Sequence, residues 1–411
     1  MNTFEKNIRR ILNGPFGVIL FFVSAVAFYL PYELEIIPEV EKIRPYVCYI
    51  CGALVLVFFF LLYCPSLRIF RDNWYFWVAA VWIGLFIYTT SVHDGVMSDI
   101  LGYRGLSMIF YLMNIAIFFK VNQKRYLLIT FFIFLAFSVA NIYTVFAYEG
   151  VGMWVEYGKY KSEIYSLVGN YNGGVEVVLP MAICGSAWAH QYGKWLDIIN
   201  YPAMAANVAM AFKCYSETQK IVYILIIIFM IIGTVAMFSK GFAKAVAAIF
   251  NGAVSAGIAI AIYIVIVWMD ITGLVSKIGI DPGFHGRRHI WDMAIDWIKQ
   301  SPYIGWGMES VDVRAVKTVG YAHCHSYFLD VTYQTGFIGT AIVLAMIVIT
   351  VISIFRAKNK SLAFMLSGLM FCFCVPNIFE CYSTPLFMLG FGLIYYIAKN
   401  SRDISSRIKK L

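Results

Sequence analysis

Apolar runs about as long as a bilayer is thick recur from one end of this 411-residue chain to the other. A helix needs roughly 20 mainly apolar residues to cross the hydrocarbon core, and 46–64, 126–147 and 334–355 are runs of this kind. Hydrophobic residues make up 61% of the chain and charged residues only 13%, too few to cover a soluble protein of this size. The sequence therefore predicts an all-α integral membrane protein.

We expect about twelve transmembrane helices, with both chain ends in the cytoplasm. The predicted spans are 16–32, 46–64, 74–92, 105–120, 126–147, 173–190, 220–238, 241–253, 254–270, 334–355, 361–379 and 384–398. Basic residues concentrate in the loops that this frame places in the cytoplasm, as the positive-inside rule requires, and the acidic segments 33–41 and 94–99 fall on the other side. The net charge of +9 thus indicates orientation rather than a nucleic-acid partner.

One apolar stretch, 202–213, is too short to span comfortably, and we interpret it as an interfacial or re-entrant helix on the cytoplasmic side. In that frame 241–253 and 254–270 are paired short spans, and Lys240 lies on the outer side. If 202–213 crosses the membrane instead, 241–270 forms one long or broken helix and Lys240 moves to the cytoplasm.

Polar residues gather in two outer segments, about 149–172 and 271–325. The chain accordingly divides into a first transmembrane bundle at 1–270, a large extracytoplasmic loop at 271–325 and C-terminal transmembrane helices at 326–411. Function in polytopic proteins tends to reside where polar groups collect beside the bilayer. The larger loop is therefore the first place to look for a site.

The large loop contains an amphipathic helix, because apolar residues recur at three- and four-residue steps after His289. Arg287 and Arg288 lie in its first turn. Two guanidiniums at a helix N-terminus suit a diphosphate, since arginine presents a planar fork to phosphate oxygens. Contact with lipid headgroups explains the pair equally well.

His323-Cys324-His325 lies where the loop runs into the next helix. A third metal ligand at close spacing is missing, so this pattern favours a histidine general base over a metal site. Ser326, Asp330 and Gln334 follow at four-residue steps, and such a polar stripe on a helix entering the membrane usually faces a cavity. We predict no metal and no cofactor.

The nine cysteines lie mostly inside apolar runs, where cysteine acts as a small hydrophobe, so we expect no disulfide framework. Two charges, Lys240 and Glu380, border apolar spans. Lys240 has the alternative explanation of a lysine snorkelling at a membrane edge, and Glu380 that of a solvated loop carboxylate.

These motifs, in this order, resemble the O-antigen ligase and O-antigen polymerase superfamily from Gly169 to the end of the chain. The residues that carry the resemblance are Gly169 with Asn172, Ser239-Lys240-Gly241, Gly286-Arg287 with Trp291, Pro302 with Gly305-Trp306-Gly307, and His325-Ser326 with Gly336 and Gly339. Lys240 stands where the family usually has an arginine, and lysine offers phosphate a point charge rather than a fork.

The resemblance implies a metal-independent, inverting glycosyltransferase with an undecaprenyl-diphosphate-linked glycan as its donor. His325 would be the general base on the acceptor hydroxyl and Arg287 would bind the diphosphate with Lys240 as its partner. Glu380 would support either the histidine or the cation pair. Further binding residues would be Arg288, His323, Asn172 and Ser326.

The implied enzyme is a polymerase that joins lipid-linked repeat units at the outer face of the bacterial cytoplasmic membrane. The alternative within the family is a ligase that transfers finished glycan to lipid A–core or another acceptor. A transporter or flippase is less favoured, because no internal repeat is evident and the polar residues gather at one face. A catalytically inactive sugar-lipid binder is a further alternative. A chain-length regulator or another polysaccharide-assembly protein is an expected partner.

Overall fold

The structure is a computed structural model that describes residues 3–30, 37–64, 69–147, 153–157, 160–164, 173–214, 217–264, 287–317, 323–379 and 384–401. Helices make up most of these residues, as the composition predicts. A short antiparallel hairpin pairs β1 (Met153–Tyr157) with β2 (Tyr160–Ile164), with Met153 opposite Ile164.

The helices follow one another through short connections. In chain order they are α1 (Thr3–Asn13), α2 (Pro15–Phe28), α3 (Pro38–Tyr63), α4 (Ile69–Asp72), α5 (Trp74–Val92), α6 (Met97–Leu101), α7 (Tyr103–Ala147), α8 (Gly174–Tyr192), α9 (Asp197–Lys213), α10 (Glu217–Ala236), α11 (Lys240–Ile249), α12 (Gly252–Tyr263), α13 (Arg287–Gln300), α14 (Val311–Lys317), α15 (Tyr327–Phe355), α16 (Lys360–Cys374), α17 (Pro376–Phe379) and α18 (Thr384–Lys399).

Seven helical segments among the described residues are long and apolar enough to cross a membrane, or eight if α1 and α2, bent by 64°, form one span. The seven are Pro38–Tyr63, Trp74–Val92, Met97–Ala147, Glu217–Ala236, Lys240–Tyr263, Tyr327–Phe355 and Lys360–Ile378. The protein is therefore a multi-pass membrane protein. The expected count of about twelve is not confirmed, and neither is the large loop, because 265–286 and 318–322 lie outside the described residues.

Helix α7 folds back on itself at Asn122, whose backbone angles are φ −156° and ψ 79°. The rings of Phe118 and Tyr126 lie only 4.7 Å apart, whereas eight residues of straight helix span about 12 Å. The ring of Tyr29 lies 6.0 Å from that of Tyr111 in the first arm and 4.6 Å from that of Phe134 in the second, measured between ring centres. The two arms therefore run antiparallel. The arms overlap the predicted spans 105–120 and 126–147.

A cluster of basic side chains defines one end of the bundle, called the basic end below. Arg9 donates to the carbonyl of Lys120 at 3.1 Å, and Arg125 donates to the carbonyl of Asn13 at 2.6 Å. Asp72 lies 3.7 Å from the amine of Lys120 and 3.9 Å from that of Lys399. The positive-inside pattern of the sequence predicts this grouping of residues from distant parts of the chain.

Helix α9 contains the short apolar stretch 202–213, and it lies lengthwise among α7, α8 and α10. Tyr201 bonds Thr234 of α10 at 2.8 Å near the basic end, and Asn207 donates to Ser138 of α7 at 2.8 Å further along. The interpretation of this stretch as an interfacial or re-entrant helix is thereby corrected. The contacts correspond to the alternative in which it runs through the bundle.

Helices α11 and α12 together form one candidate span, broken at Asn251, whose side chain accepts from the amides of Ala253 and Val254. The start of α11 lies at the basic end. The amine of Lys194 is 3.3 Å from the ring centre of Phe238, and the neighbouring Trp195 packs on Trp188, whose Nε1 donates to the carbonyl of Lys124. One broken candidate span thus stands where two paired spans were predicted. Which side of the membrane Lys240 lies on stays a prediction.

The opposite end of the bundle, called the loop end below, is built where residues 301–308 enter a break in α15. At Gly336 the helix adopts φ 62° and ψ −170°. Trp306 and Gly307 donate to the carbonyls of Tyr333 and Gln334 at 2.9 and 2.8 Å. These loop amides satisfy carbonyls that the break removes from the helix, and such groups are costly to leave unpaired within a membrane.

The loop backbone approaches α15 so closely that only glycine fits at the contact. A Cβ on Gly305 would lie 2.5 Å from the Tyr333 carbonyl oxygen, and a Cβ on Gly336 would lie 2.2 Å from the Tyr303 carbonyl carbon. Both glycines also have positive φ, at 70° and 62°. The two glycine motifs of the sequence thus meet at one contact.

We expect Gly336→Ala to lower the free energy of unfolding by at least about 2 kcal/mol, through backbone strain and the clash with Tyr303. Thermal unfolding of the detergent-purified protein measures this. Gly257→Ala is the matched control, because nothing lies within 4 Å of its Cβ position. Equal melting temperatures for the two variants would contradict the close contact.

Candidate active site

The two histidines form a tight turn at the loop end, immediately before α15. His325 has a φ of 48°, in the left-handed region. Its amide donates to Nδ1 of His323 at 3.2 Å, and the two rings lie 4.3 Å apart. Ser326 then caps α15, and its buried hydroxyl has no hydrogen-bond partner among the described residues. We call residues 323–326 the histidine turn.

Helix α13 is tied to the histidine turn by Trp291. This side chain is fully buried, and its Nε1 donates to the carbonyl of Cys324 at 3.0 Å. Arg287 starts the same helix one turn earlier, about 6 Å along the axis. The structure therefore brings Arg287 and His325 to the same corner of the fold.

A buried ion pair between Arg314 and Asp330 anchors the backbone of the histidine turn. The side chains of Arg314 and Asp330 are only 7% and 9% exposed. One carboxylate oxygen of Asp330 also accepts the amide of Cys324 at 3.0 Å, and the other accepts from Gln334 at 3.0 Å. This carboxylate thus fixes the backbone next to His325 while it neutralises an arginine.

A second, half-buried pair, Lys317 with Glu309, lies beside the first. The amine of Lys317 lies 3.9 Å from the ring centre of Trp306 and 4.5 Å from that of Trp297. Tyr333 joins the two pairs, because its hydroxyl donates to Glu309 at 2.5 Å. The same ring lies 5.0 Å from the guanidinium carbon of Arg314. The floor of the site is therefore a connected network of charges and aromatic rings.

Cys324 is not a nucleophile in this arrangement. Burial, and next the nearby Asp330 carboxylate, raise the pKa of the Cys324 thiol, so the thiol stays neutral. In the part of the chain that the structure describes, no three histidine, cysteine, aspartate or glutamate side chains are grouped so that they could hold a metal ion.

Lys240 does not join this group. Lys240 lies at the basic end. Helix α5 connects the two ends of the bundle: Asn73, just before it, accepts from Tyr396 near the basic end, and Thr90 accepts from Met308 at the loop end. The 19 residues of α5 correspond to about 28 Å. A direct partnership of Lys240 with Arg287 is therefore not supported by the geometry.

The remaining predicted residues are only partly described. The backbone of Arg288 belongs to the first turn of α13. Asn172 and Glu380 lie outside the described residues.

Sequence reasoning missed the roles of Glu309, Arg314 and Lys317. It noted Asp330 in a polar stripe but assigned it no partner. Arg314 and Lys317 are three residues apart on α14, which places both on one face of that helix, and this spacing was the available signal.

The described residues thus form a multi-pass helical bundle whose loop end carries a histidine turn, a helix that begins with an arginine, and two ion pairs. Residues 204–344 match the family model described as O-antigen ligase. The match confirms the resemblance to the O-antigen ligase and polymerase superfamily over this segment, which contains Lys240, Arg287 and His325. No curated protein shows a significant match to the chain.

We expect Asp330→Asn to destabilise the protein by about 3 kcal/mol, because the buried Arg314 would lose the Asp330 carboxylate as a counter-charge. Adding Arg314→Met should restore most of the loss. Asp296→Asn is the matched control, since Asp296 and Lys299 pair at 2.8 Å with about 70% of each side chain exposed. That change should cost less than about 0.5 kcal/mol.

Melting temperatures of the four proteins in one detergent test this prediction. If the Asp330→Asn protein were as stable as the Asp296→Asn control, the Arg314–Asp330 ion pair would not stabilise the fold as proposed.

Proposed function

We propose that this protein is a polysaccharide polymerase that joins undecaprenyl-diphosphate-linked repeat units at the outer face of the bacterial cytoplasmic membrane. The observation that carries the proposal is the bond from Trp291 to Cys324. It places the start of α13, with Arg287, beside the histidine turn. A base and a phosphate-binding cation at one corner are what glycosyl transfer from a lipid diphosphate needs.

In this mechanism His325 accepts the proton of an acceptor hydroxyl. The oxygen attacks the anomeric carbon of the donor sugar from the face opposite the diphosphate, and the carbon–oxygen bond to the phosphate breaks. The electron pair leaves with the lipid diphosphate. Arg287 and the amides of the first turn of α13 stabilise that charge. The configuration at the anomeric carbon inverts, and no metal ion takes part.

Asp330 is a positioning residue in this proposal. It bonds the amide of Cys324 and so keeps His325 in its left-handed conformation. Arg314 balances the charge of Asp330 without access to the substrate. Displacement of a catalytic group by as little as 1 Å costs about 100-fold in rate, so such a buried clamp matters for turnover.

The orientation rests on the charge distribution. Basic side chains collect at the end of the bundle opposite the histidine turn, and the positive-inside rule assigns that end to the cytoplasm. The histidine turn then lies at the outer face. Lys240 lies on the cytoplasmic side in this frame and takes no part in the reaction. Roles for Glu380, Asn172, Arg288, His323 and Ser326 stay predictions.

The second candidate function is a ligase, because the matching family model is described as O-antigen ligase. Both reactions use the same donor and the same corner of the fold, and they differ in the acceptor. The acceptor is a second lipid-linked repeat unit for a polymerase, and lipid A–core or another molecule for a ligase.

The decisive experiment supplies the purified protein in vesicles with a lipid-diphosphate-linked repeat unit as its sole glycan. We expect a ladder of products. His325→Ala should lower turnover by about 10²- to 10⁴-fold while donor binding persists, because it removes the base alone. Arg287→Ala should weaken donor binding as well.

His190→Gln is the control, because His190 lies at the basic end, bonded to Ser361 at 3.1 Å. It should leave turnover unchanged. A single transfer that appears only after lipid A–core is added would establish the ligase. Full turnover in His325→Ala would refute the proposed base.

The positioning role has its own test, made with the Asp330→Asn and Arg314→Met double variant at a temperature where it is folded. We expect kcat to fall about tenfold or more, with donor affinity unchanged, because the histidine turn loses its anchor. Asp296→Asn should keep the wild-type kcat. A double variant with wild-type kcat would show that the ion pair is purely structural.

A further inference from the structure

A cavity of about 420 Å³ opens at the basic end between α5, α15 and α18, far from the histidine turn. Its lining combines three cations with an apolar wall. Arg71, Arg356 and Lys399 provide the positive charge, and Ile349 and Ile352 of α15 provide the wall. Nothing in the proposed reaction uses this cavity.

Within the described residues, the cations around the cavity outnumber the carboxylates that pair with them. Asp72 lies 3.6 Å from Arg71, 3.9 Å from Lys399 and 3.7 Å from Lys120, so this carboxylate is shared among three cations at long distances. Arg356 has no ion pair within the described residues. The cavity therefore attracts an anion.

The opposite part of the cavity opens on the exposed apolar side of a candidate membrane span. Ile352 is 41% exposed on α15, a candidate membrane span, and Trp74 is 56% exposed at the first residue of α5. Tryptophan at the end of a span typically lies at the level of the lipid headgroups. The cations and the apolar wall are thus placed at the depths of a headgroup and of an acyl chain.

We propose that this cavity binds an anionic glycerophospholipid of the leaflet at the basic end. The phosphate lies between Arg71, Arg356 and Lys399, and one acyl chain follows Ile349 and Ile352 along α15. Basic pockets between transmembrane helices bind anionic headgroups in this manner. The bound lipid bridges three helices, so it stabilises the bundle.

The test uses the full chain, purified in detergent and freed of lipid, with phosphatidylglycerol as the probe. Binding is followed by native mass spectrometry and by thermal unfolding. We expect phosphatidylglycerol to bind and to raise the melting temperature by at least about 2 °C, because a ligand specific to the folded state stabilises it. Phosphatidylcholine and inorganic phosphate at equal concentration should do neither.

The variant Arg71→Gln with Arg356→Gln should bind phosphatidylglycerol about 30-fold more weakly, since each cation near a headgroup contributes about a fivefold factor. The matched control is Arg10→Gln with Lys358→Gln. It removes two exposed cations from the same end, and neither lines the cavity. The control should bind like the wild type.

Three results would overturn the proposal: equal stabilisation by phosphatidylcholine, equal stabilisation by inorganic phosphate, or equal weakening in the control variant. The first would make the cavity a site for any lipid, the second a site for a free anion, and the third a diffuse charge effect. If the double variant does not fold, Arg356→Gln alone replaces it, because Arg356 forms no ion pair within the described residues.

Discussion

The loop end depends on one exchange of backbone hydrogen bonds, between residues 301–308 and the break in α15 at Gly336. A membrane helix tolerates such a break only where another segment satisfies the freed groups. The loop does so with the amides of Trp306 and Gly307. Once seated, it brings Trp306 against Lys317 and Trp297, and it binds the end of α5 through Met308 and Thr90. The two ion pairs and the histidine turn are assembled around this contact.

The sequence predicts the helical membrane architecture because apolar runs and basic loops are local properties. The glycine motifs, the Trp291 position and the histidine turn are also visible as a pattern. The contacts between these motifs are not visible in the sequence, because the pattern does not show that Gly305 meets Gly336 or that Trp291 bonds Cys324. These pairings bring together residues 31 and 33 positions apart, and only the fold specifies them.

Hydropathy alone does not predict two features of the structure, the position of 202–213 and the Arg314–Asp330 ion pair. The stretch 202–213 ends at Lys213, with Asn200 just before it and Asn207 within it. Both asparagines bond partners inside the bundle, on α8 and α7. Hydropathy scores them as polar, whereas the packing makes them interior. The Arg314–Asp330 pair is hidden for a similar reason. The cost of burying two charges is offset by the bonds that Asp330 accepts from Cys324 and Gln334, but the sequence does not show that its cationic partner is Arg314 on another helix.

The insertion of the loop into α15 has a consequence for the construction of chimeric proteins. A segment that interlocks with a broken helix is not a portable module. A graft of 301–308 alone would present its amides to a continuous helix that has no free carbonyls. The smallest exchangeable unit is discontinuous and includes both the loop and the first half of α15, through Gly339. Side chains on this shared frame are therefore easier to exchange than the loop as a whole.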